Sequence, residues 1–299
     1  MHTPVMLTEC LEYLALRPDG VYLDATAGLG GHTGAIARRL AGLGGKGFVL
    51  ACDRDAESLE MAKANTADVV SQERSSRIRF HQSLFSRLGE RLTAEGVSQL
   101  DGLLADLGVS RYQLTDGGRG FSLMADGPLD MRMSRDVHAD TGGTAADLVN
   151  FESEKQLADL IFRLGEERRS RRIARAIVRA RPIKTTGQLA KLIEGVVPRT
   201  EKIHPATRTF MALRIAVNRE LEELDALLES IPRLVKPGGR AVIVTFMSLE
   251  DRKVKQSFQA LAKAGRARIL TRHVVRPAEE EIRDNPPSRS AKLRAVELM

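Results

Sequence analysis

The chain has 299 residues, of which 42% are hydrophobic, and its formal net charge is +7. The hydrophobic content suffices for a packed core, and the length predicts about two domains. No apolar run approaches the ~20 residues that cross a bilayer and no signal-peptide pattern stands at the start, so we expect a cytoplasmic protein without membrane contact. Two cysteines exclude a disulfide framework, and six histidines without metal-ligand spacing predict no metal.

Short apolar runs alternate with helical patterns between residues 20 and 110. Strands are predicted at residues 21–24, 48–53, 78–81 and 100–106, and helices at about 34–40 and 56–64. Parallel strands need crossover connections, which are usually helices. The alternation therefore predicts an α/β fold with a doubly wound, mostly parallel sheet and helices on both of its faces.

The first predicted strand leads into a glycine-rich turn. It ends on Asp24, and Gly28, Gly30 and Gly31 follow before the next helix. Glycines let the backbone turn tightly and approach a ligand, and the N–H groups at the helix start attract anions. Asp24 favours S-adenosylmethionine over a dinucleotide, because a strand-end carboxylate attracts the ammonium of the former and repels the pyrophosphate of the latter. We therefore predict cofactor contacts at these four residues.

Two more strands end on an acid. Asp53 follows Gly30 by 23 residues, close to the ~20 at which Rossmann-type folds place the acid that accepts ribose hydroxyl protons. Asp106 ends the fourth strand. Because the strand ends of a doubly wound sheet line one crevice, we expect Asp24, Asp53 and Asp106 to converge there.

The expected chemistry gives Asp106 a catalytic role. Methyl transfer from a sulfonium is an in-line displacement that needs no metal, so the protein positions the nucleophile and accepts a proton. Asp106 is the predicted proton acceptor. A second role stays open, in which Asp106 bonds to the adenine amine of the cofactor.

The alternation of strands and helices breaks after Ser110. Helical periodicity continues to about residue 198, which predicts an inserted helical domain. A long helix follows, whose apolar stripe from Phe210 to Ile231 is expected to face the sheet. A buried central strand at 241–246 and an antiparallel edge hairpin at 269–275 and 293–298 complete the pattern. The predicted domains are residues 1–112 with 206–299 for the cofactor, and 113–205 for the substrate.

The insertion holds the charge excess of the chain. Residues 163–184 contain nine basic side chains against two acidic ones. Four arginines at helical spacing are expected to share one helix face: Arg168, Arg172, Arg175 and Arg179. Three apolar residues are expected on another face: Ile173, Ile177 and Ala180. Guanidinium groups suit phosphate oxygens, so we predict nucleic-acid binding rather than a merely solvated face, with Tyr112 and Phe121 as candidates for base stacking.

Long motifs in a fixed order give the chain a family resemblance. They are His2-Thr3-Pro4-Val5, Gly30-Gly31-His32, Asp106-Leu107-Gly108-Val109-Ser110, Arg119-Gly120-Phe121-Ser122, Gly165-Glu166-Glu167-Arg168, Ser248-Leu249-Glu250-Asp251-Arg252, Ser288-Arg289-Ser290 and residues 126–133 and 204–210. Over nearly its whole length the chain resembles the bacterial small-subunit (16S) ribosomal RNA methyltransferases. These use S-adenosylmethionine to methylate the exocyclic amine of a cytidine in the decoding region.

The resemblance implies a class I (Rossmann-like) methyltransferase fold with a helical insertion. It implies cofactor contacts at seven residues: Gly30, Gly31, His32, Asp53, Phe85, Asp106 and Gln113. Phe85, just past the third strand, would pack on the adenine. The resemblance adds His204 and Arg208 to the RNA-binding residues, and it implies small-subunit ribosomal RNA, within the small ribosomal subunit, as the partner. The oligomeric state is left open.

Two places depart from the family pattern: Met247, and the loop Arg111-Tyr112-Gln113, where the family more often has small residues and proline. Met247 precedes Ser248 where the family usually has a histidine, so a proton-transfer role of that histidine is not expected here. Two other functions stay open at this point: an RNA-binding ribosome-assembly factor without catalysis, and a class I methyltransferase of a non-RNA substrate. A nicotinamide-dependent dehydrogenase is disfavoured by Asp24.

Overall fold

The computed structural model describes residues 4–71, 77–135, 143–198 and 203–299. The motif residues His2 and Thr3 therefore lie outside the described part. The chain forms two compact units, Met1–Gly108 with Glu222–Met299 and Val109–Leu221. The chain returns to the first unit at Glu222, beyond the predicted domain boundary at 205/206.

The first unit starts with four strands separated by helices. Its elements up to Asp106 are α1 (Leu7–Leu14), β1 (Val21–Asp24), α2 (Gly31–Leu43), β2 (Phe48–Asp53), α3 (Ala56–Asn65), α4 (Ala67–Ser71), β3 (Ile78–Gln82), α5 (Leu88–Ala94) and β4 (Leu100–Asp106). A 3-10 turn, Phe85–Arg87, precedes α5. The four predicted strands are confirmed. Helix α2 extends beyond the predicted 34–40 at both ends. It is bounded by the capping residues Gly30 and Gly44, whose φ angles are 86° and 78°.

Helices make up the second unit. They are α6 (Arg111–Thr115), α7 (Ala145–Phe151), α8 (Glu154–Gly165), α9 (Ser170–Ala180), α10 (Thr186–Val196) and α11 (Thr207–Asn218). Among the residues of this unit that the structure describes, strand-type pairing is limited to a bridge between Pro128 and Thr185. This agrees with the helical insertion predicted from the sequence.

The remaining elements complete the sheet of the first unit. They are α12 (Glu220–Leu234), β5 (Val235–Thr245), α13 (Ser248–Lys263), β6 (Ala267–Ile269), α14 (Glu279–Asp284) and β7 (Lys292–Leu298). The strand order is β3-β2-β1-β4-β5-β7-β6, and β7 runs antiparallel to both of its neighbours. The predicted antiparallel edge is confirmed. Strand β6 ends before the predicted limit of 275, although Leu270 and Val275 still bond to β7.

The sheet separates two apolar cores in the first unit. Leu23 and Leu103 belong to one core, and Tyr22 and Leu104 belong to the other. This follows from the alternation of side chains along a strand. In β5 the residues from Ala241 to Val244 are fully buried, which confirms the predicted central position of that strand.

The predicted long helix after residue 205 is wrong. Arg219 has a left-handed φ of 50°, so the chain forms two helices, α11 and α12, instead of one. Phe210 and Leu213 of α11 pack in the core of the second unit, whereas Leu224 and Ile231 of α12 pack on the sheet. The apolar spacing continues across the break, and for this reason the periodicity alone did not reveal it.

Both cysteines belong to the first unit. Cys10 and Cys52 are buried and free, and burial raises the pKa of Cys52 to about 12. Within the described ranges, no helix has the length and apolar character needed to cross a membrane.

Candidate functional site

Three carboxylates lie at neighbouring strand ends of the first unit. Asp24 is in register with Ala51 of β2 and Leu104 of β4. Asp53 and Asp106 each stand two residues beyond those partners, and side chains two residues apart on a strand point to the same face. The register therefore brings the three carboxylates to one face of the sheet.

Asp24 is the deepest of the three carboxylates. It is fully buried, and its Oδ2 accepts from the Thr33 hydroxyl at 2.6 Å and its Oδ1 from the Thr26 N–H at 3.1 Å. Burial raises the pKa of Asp24, while His32 and the hydrogen bonds lower it. With no exposed surface, Asp24 acts on its surroundings through its field and through the two threonines that bond to it. A cofactor contact of Asp24 stays a prediction.

Two glycines of the turn adopt the left-handed conformation. Their φ angles are 50° for Gly28 and 86° for Gly30. A Cβ on Gly30 would lie 3.1 Å from the Ala62 backbone in α3, whereas the nearest atom to a Cβ on Gly28 is the Thr26 carbonyl oxygen at 3.8 Å. Gly30 is thus needed for packing of the turn on α3, while the position of Gly28 has room beside it.

Asp53 connects the second strand to this turn. Its Oδ2 accepts from the Gly28 N–H at 2.8 Å, and its Oδ1 accepts from the Asp55 N–H at 2.9 Å. Burial raises the pKa of Asp53 to about 6, against the lowering effect of these two N–H groups. A carboxylate oxygen can accept more than one hydrogen bond. The ionised side chain therefore retains capacity for ribose hydroxyls.

Asp106 has an unsatisfied oxygen at the end of β4. Its Oδ1 is buried and has no hydrogen-bond partner among the described residues. Burial raises the pKa of Asp106 well above its usual value, and the carboxylates of Asp24, Glu250 and Glu281 raise it further. The Asp106 N–H donates to Thr26 Oγ1 at 2.7 Å, which fixes the strand end. A buried acceptor without a donor is costly, so Asp106 can accept a hydrogen bond or a proton from a ligand.

His32 lies beside Asp106 at the start of α2. Its Nε2 is 3.0 Å from the Val5 carbonyl oxygen, and since a carbonyl can only accept, Nε2 carries the hydrogen. Its Nδ1 then faces Asp106 Oδ2 at 3.8 Å. A Cβ on Gly31 would lie 3.1 Å from Pro4, so Gly31 allows the N-terminal segment to pack closely here.

The two remaining predicted cofactor residues lie in different units. Phe85 follows β3 and packs, half-buried, against a core of the first unit. Gln113 lies in the second unit, where its Oε1 accepts from the Ser110 N–H at 2.9 Å and caps α6. Cofactor contacts of both side chains stay predictions.

Met247 stands between β5 and α13. The N–H groups of Phe246 and Met247 donate to Oε2 of the buried Glu250 at 3.1 and 3.2 Å. A thioether has no proton to transfer. The acid of this strand end, Glu250, is itself bound to backbone N–H groups.

The basic segment forms α9 in the second unit. Arg172, Arg175 and Arg179 are exposed on α9, and Ile173 and Ile177 are buried. Arg175 Nε lies 3.4 Å from Glu154 Oε1. Arg172 and Arg179 have no hydrogen bond or ion pair with any residue in the described part of the chain. The geometry therefore leaves two guanidinium groups available to an anionic ligand.

Two expectations about this helix are wrong. Arg168 is exposed but precedes α9, which begins at Ser170, because the Arg169 N–H bonds to Glu167 Oε1 at 2.7 Å in the turn before it. Ala180 is exposed, because it is the last residue of the helix.

His204 and Arg208 have partners inside the second unit. His204 Nε2 lies 2.8 Å from Glu194 Oε1, and its Nδ1 accepts from the Ala206 N–H at 3.1 Å. Arg208 Nη1 lies 3.8 Å from Oε2 of the buried Glu167. These contacts indicate a structural role, and RNA binding by the two side chains stays a prediction.

Sequence reasoning missed the two threonines that organise the site. Thr26 bonds to Asp24 and to the Asp106 N–H, and Thr33 donates to Asp24. An aspartate commonly accepts a hydrogen bond from the backbone N–H two residues on, so the position of Thr26 two residues after Asp24 was the available signal for its role. No group of three or more potential metal ligands occurs among the residues described here.

A family model describes the whole chain. The model of the MraW methylase family matches residues 1–299. The chain belongs to the MraW methylase family. This family membership confirms the resemblance seen in the sequence and identifies an enzyme of the S-adenosylmethionine-dependent class I methyltransferases.

Relatives match over nearly their full length. A protein from Solibacter usitatus, named ribosomal RNA small subunit methyltransferase H, is 58% identical over 298 residues, with 100% of both chains covered. Proteins of the same name from Acidobacterium capsulatum and Koribacter versatilis are 50% and 49% identical over 301 residues each. The matches cover 99% of this chain, and 98% and 93% of those relatives.

The strand-end residues fit the cofactor of the family. Asp53 has free lone pairs for ribose hydroxyls, and the unsatisfied Oδ1 of Asp106 needs a donor. The cluster of carboxylates formed by Asp24, Asp53 and Asp106 is suited to a cation, because a positive charge lowers the cost of ionising them.

Proposed function

We propose that the chain transfers the methyl group of S-adenosylmethionine to the exocyclic amine of a cytidine in the decoding region of small-subunit ribosomal RNA. The names of relatives that are 49–58% identical over nearly the full length support the RNA substrate. The buried, unsatisfied Oδ1 of Asp106 is the observation that carries the chemistry.

The turn after β1 and the ends of β2 and β4 would hold the cofactor. Asp53 would accept the ribose hydroxyls, and Phe85 would pack on the adenine. The backbone of Gly28, Gly30 and Gly31 would follow the cofactor closely, since Gly28 and Gly30 take φ angles that favour glycine. Gln113 and His32 complete the predicted contacts, and Asp24 would stabilise the cationic end through its field.

Asp106 would activate the amine. That amine is a poor nucleophile, because its lone pair is delocalised into the base. When bound, S-adenosylmethionine supplies an electrophilic methyl carbon. As the N–C bond forms and the methyl–sulfur bond breaks to leave a neutral thioether, the nitrogen would lose a proton. Asp106 Oδ1 would accept first a hydrogen bond and then that proton. His32, fixed by the Val5 carbonyl, flanks Oδ2, which leaves Oδ1 for the substrate.

The exposed arginines would bind the phosphates of the RNA. Arg168, Arg172, Arg175 and Arg179 would contribute, with His204 and Arg208 as further candidates. Phosphate contacts of this kind position an RNA without reading its sequence and make its binding depend on salt. The setting that we propose is the small ribosomal subunit in the cytoplasm.

Labelled S-adenosylmethionine and small ribosomal subunits from cells lacking this protein test the function. We expect label in the RNA, and mass spectrometry of the digested RNA should identify cytidine methylated on its exocyclic amine. Label on ribosomal protein or on a different base would contradict the proposal. Free ribosomal RNA in a parallel reaction distinguishes an RNA substrate from an assembled subunit.

A further inference from the structure

The exposed aromatic side chains of the second unit are not those expected from the sequence. Phe121, a predicted stacking residue, is buried in the core of this unit, and Tyr112 is half-buried. Phe151 at the end of α7 is instead 82% exposed, and Phe162 on α8 is 56% exposed. A single exposed phenylalanine is common in proteins, so the surroundings of each ring decide what it can do.

Phe151 lies between two residues that are bound to the end of the basic helix. The Arg181 guanidinium donates to the carbonyl oxygen of Val149 at 2.7 Å and also to that of Glu152. These are two of the carbonyl groups that the C-terminus of α7 leaves without helical partners. The backbone segment that carries Phe151 is therefore fixed by hydrogen bonds from Arg181.

Two further contacts hold the same segment. The Asn150 side chain exchanges a pair of 2.8 Å hydrogen bonds with the backbone of Ile183. Three residues beyond Phe151, Glu154 pairs with Arg175. The junction between α7 and α8 thus runs alongside the last part of α9, from Arg175 to the residues that follow it.

The backbone segment that carries Phe151 consequently lies beside positive charge, because the Arg181 guanidinium is bound to it. Arg179 lies between Arg175 and Arg181, is exposed, and bonds to no residue that the structure describes. An apolar protein partner over Phe151 would remove water from the guanidinium groups of Arg179 and Arg181 without neutralising them, which is costly. A single-stranded RNA brings a base and a negative phosphate with each nucleotide, so it matches both the ring and the charges.

We infer that Phe151, with Arg175 and Arg179, forms a stacking site for an unpaired base of the RNA substrate. The ring of Phe151 covers one face of the base, and Arg179 binds the adjoining phosphate. Arg175 exchanges its exposed partner Glu154 for a second phosphate. The site rests on the proposed RNA substrate and adds to it a base contact that does not depend on the reacting cytidine.

Binding of a single-stranded oligoribonucleotide containing a fluorescent adenine analogue tests this site. Phe151→Ala should weaken binding about 5- to 100-fold and abolish the fluorescence quenching that stacking causes. Phe151→Trp should retain both the binding and the quenching, because it keeps an aromatic face. Phe151→Leu should lose both the binding affinity and the quenching, as Phe151→Ala does, because leucine is apolar but has no ring.

Met124→Ala is the matched control, since Met124 is 95% exposed in the same unit and should leave binding unchanged. Wild-type binding by Phe151→Leu would overturn the site, because a ring would then not be required. Loss of self-association in Phe151→Ala, seen by sedimentation with unchanged RNA affinity, would overturn it too and identify a second copy of the chain as the partner. Failure of the proposed function gives a different result, namely that the wild-type protein transfers no label to RNA.

Discussion

The strand-end site of the first unit and the basic helix of the second differ in how far the fold fixes them. Asp24 and Asp53 are bound to hydroxyl or N–H groups of their own unit before any ligand arrives. On α9, Arg172 and Arg179 are exposed and bond to nothing that the structure describes. A small cofactor of constant shape suits a preorganised site. A long, flexible RNA suits exposed charges that its phosphates can neutralise.

The largest expected effect concerns Asp106. Asp106→Asn keeps an acceptor oxygen but is a far weaker base, so we expect single-turnover methyl transfer to small ribosomal subunits to slow about 10²- to 10⁴-fold. Calorimetry of cofactor binding is the control and should change much less. An unchanged transfer rate would remove Asp106 from its proton-accepting role.

The next effect tests how rigid the glycine turn is. Gly30→Ala puts a Cβ at a φ of 86° and 3.1 Å from the Ala62 backbone, and should lower the free energy of unfolding by about 2–4 kcal/mol. Gly28→Ala, at a φ of 50° and without such a neighbour, should cost only about 1 kcal/mol. Urea denaturation measures both. Equal losses would mean that packing on α3 does not distinguish the two positions.

A smaller effect follows from the pKa of Asp53, which burial raises to about 6. Only the ionised carboxylate can accept both ribose hydroxyls, and its fraction falls as the pH falls through this value. Cofactor affinity should therefore be level above the pKa and drop up to about tenfold per pH unit below it. Calorimetry across this range, with Asp53→Asn as the control, checks the slope. A slope that persists in Asp53→Asn would assign the titration to another group.

The smallest effect belongs to the basic helix. Arg172→Gln combined with Arg179→Gln should weaken RNA binding by roughly tenfold at moderate salt and reduce the slope of log affinity against log salt by about 1.4. Lys263→Gln, an exposed charge on α13 in the first unit, is the charge control. Cofactor affinity should not change. Equal salt slopes for the double variant and wild type would show that α9 does not bind phosphates.

The sequence predicted the strand-end acids well because the evidence for them is local. Alternating strands and helices identified the ends of β1, β2 and β4, and the common face of their carboxylates follows from strand register. The depth of Asp24 was not predictable, because it depends on Thr33 and on strands contributed by distant parts of the chain. The break at Arg219 was missed for a related reason. The apolar spacing runs on from α11 to α12, although the two helices pack in different cores.

By itself, the sequence determined the α/β layering, the glycine turn, the acids that follow three strands and the membership of the family. These depend on residue order and periodicity, which act over a few residues. Only the tertiary structure decided which carboxylate oxygen of Asp106 has no partner among the described residues and which phenylalanines of the second unit are exposed. Both depend on contacts between residues far apart in the chain, and such contacts exist only once the chain has folded.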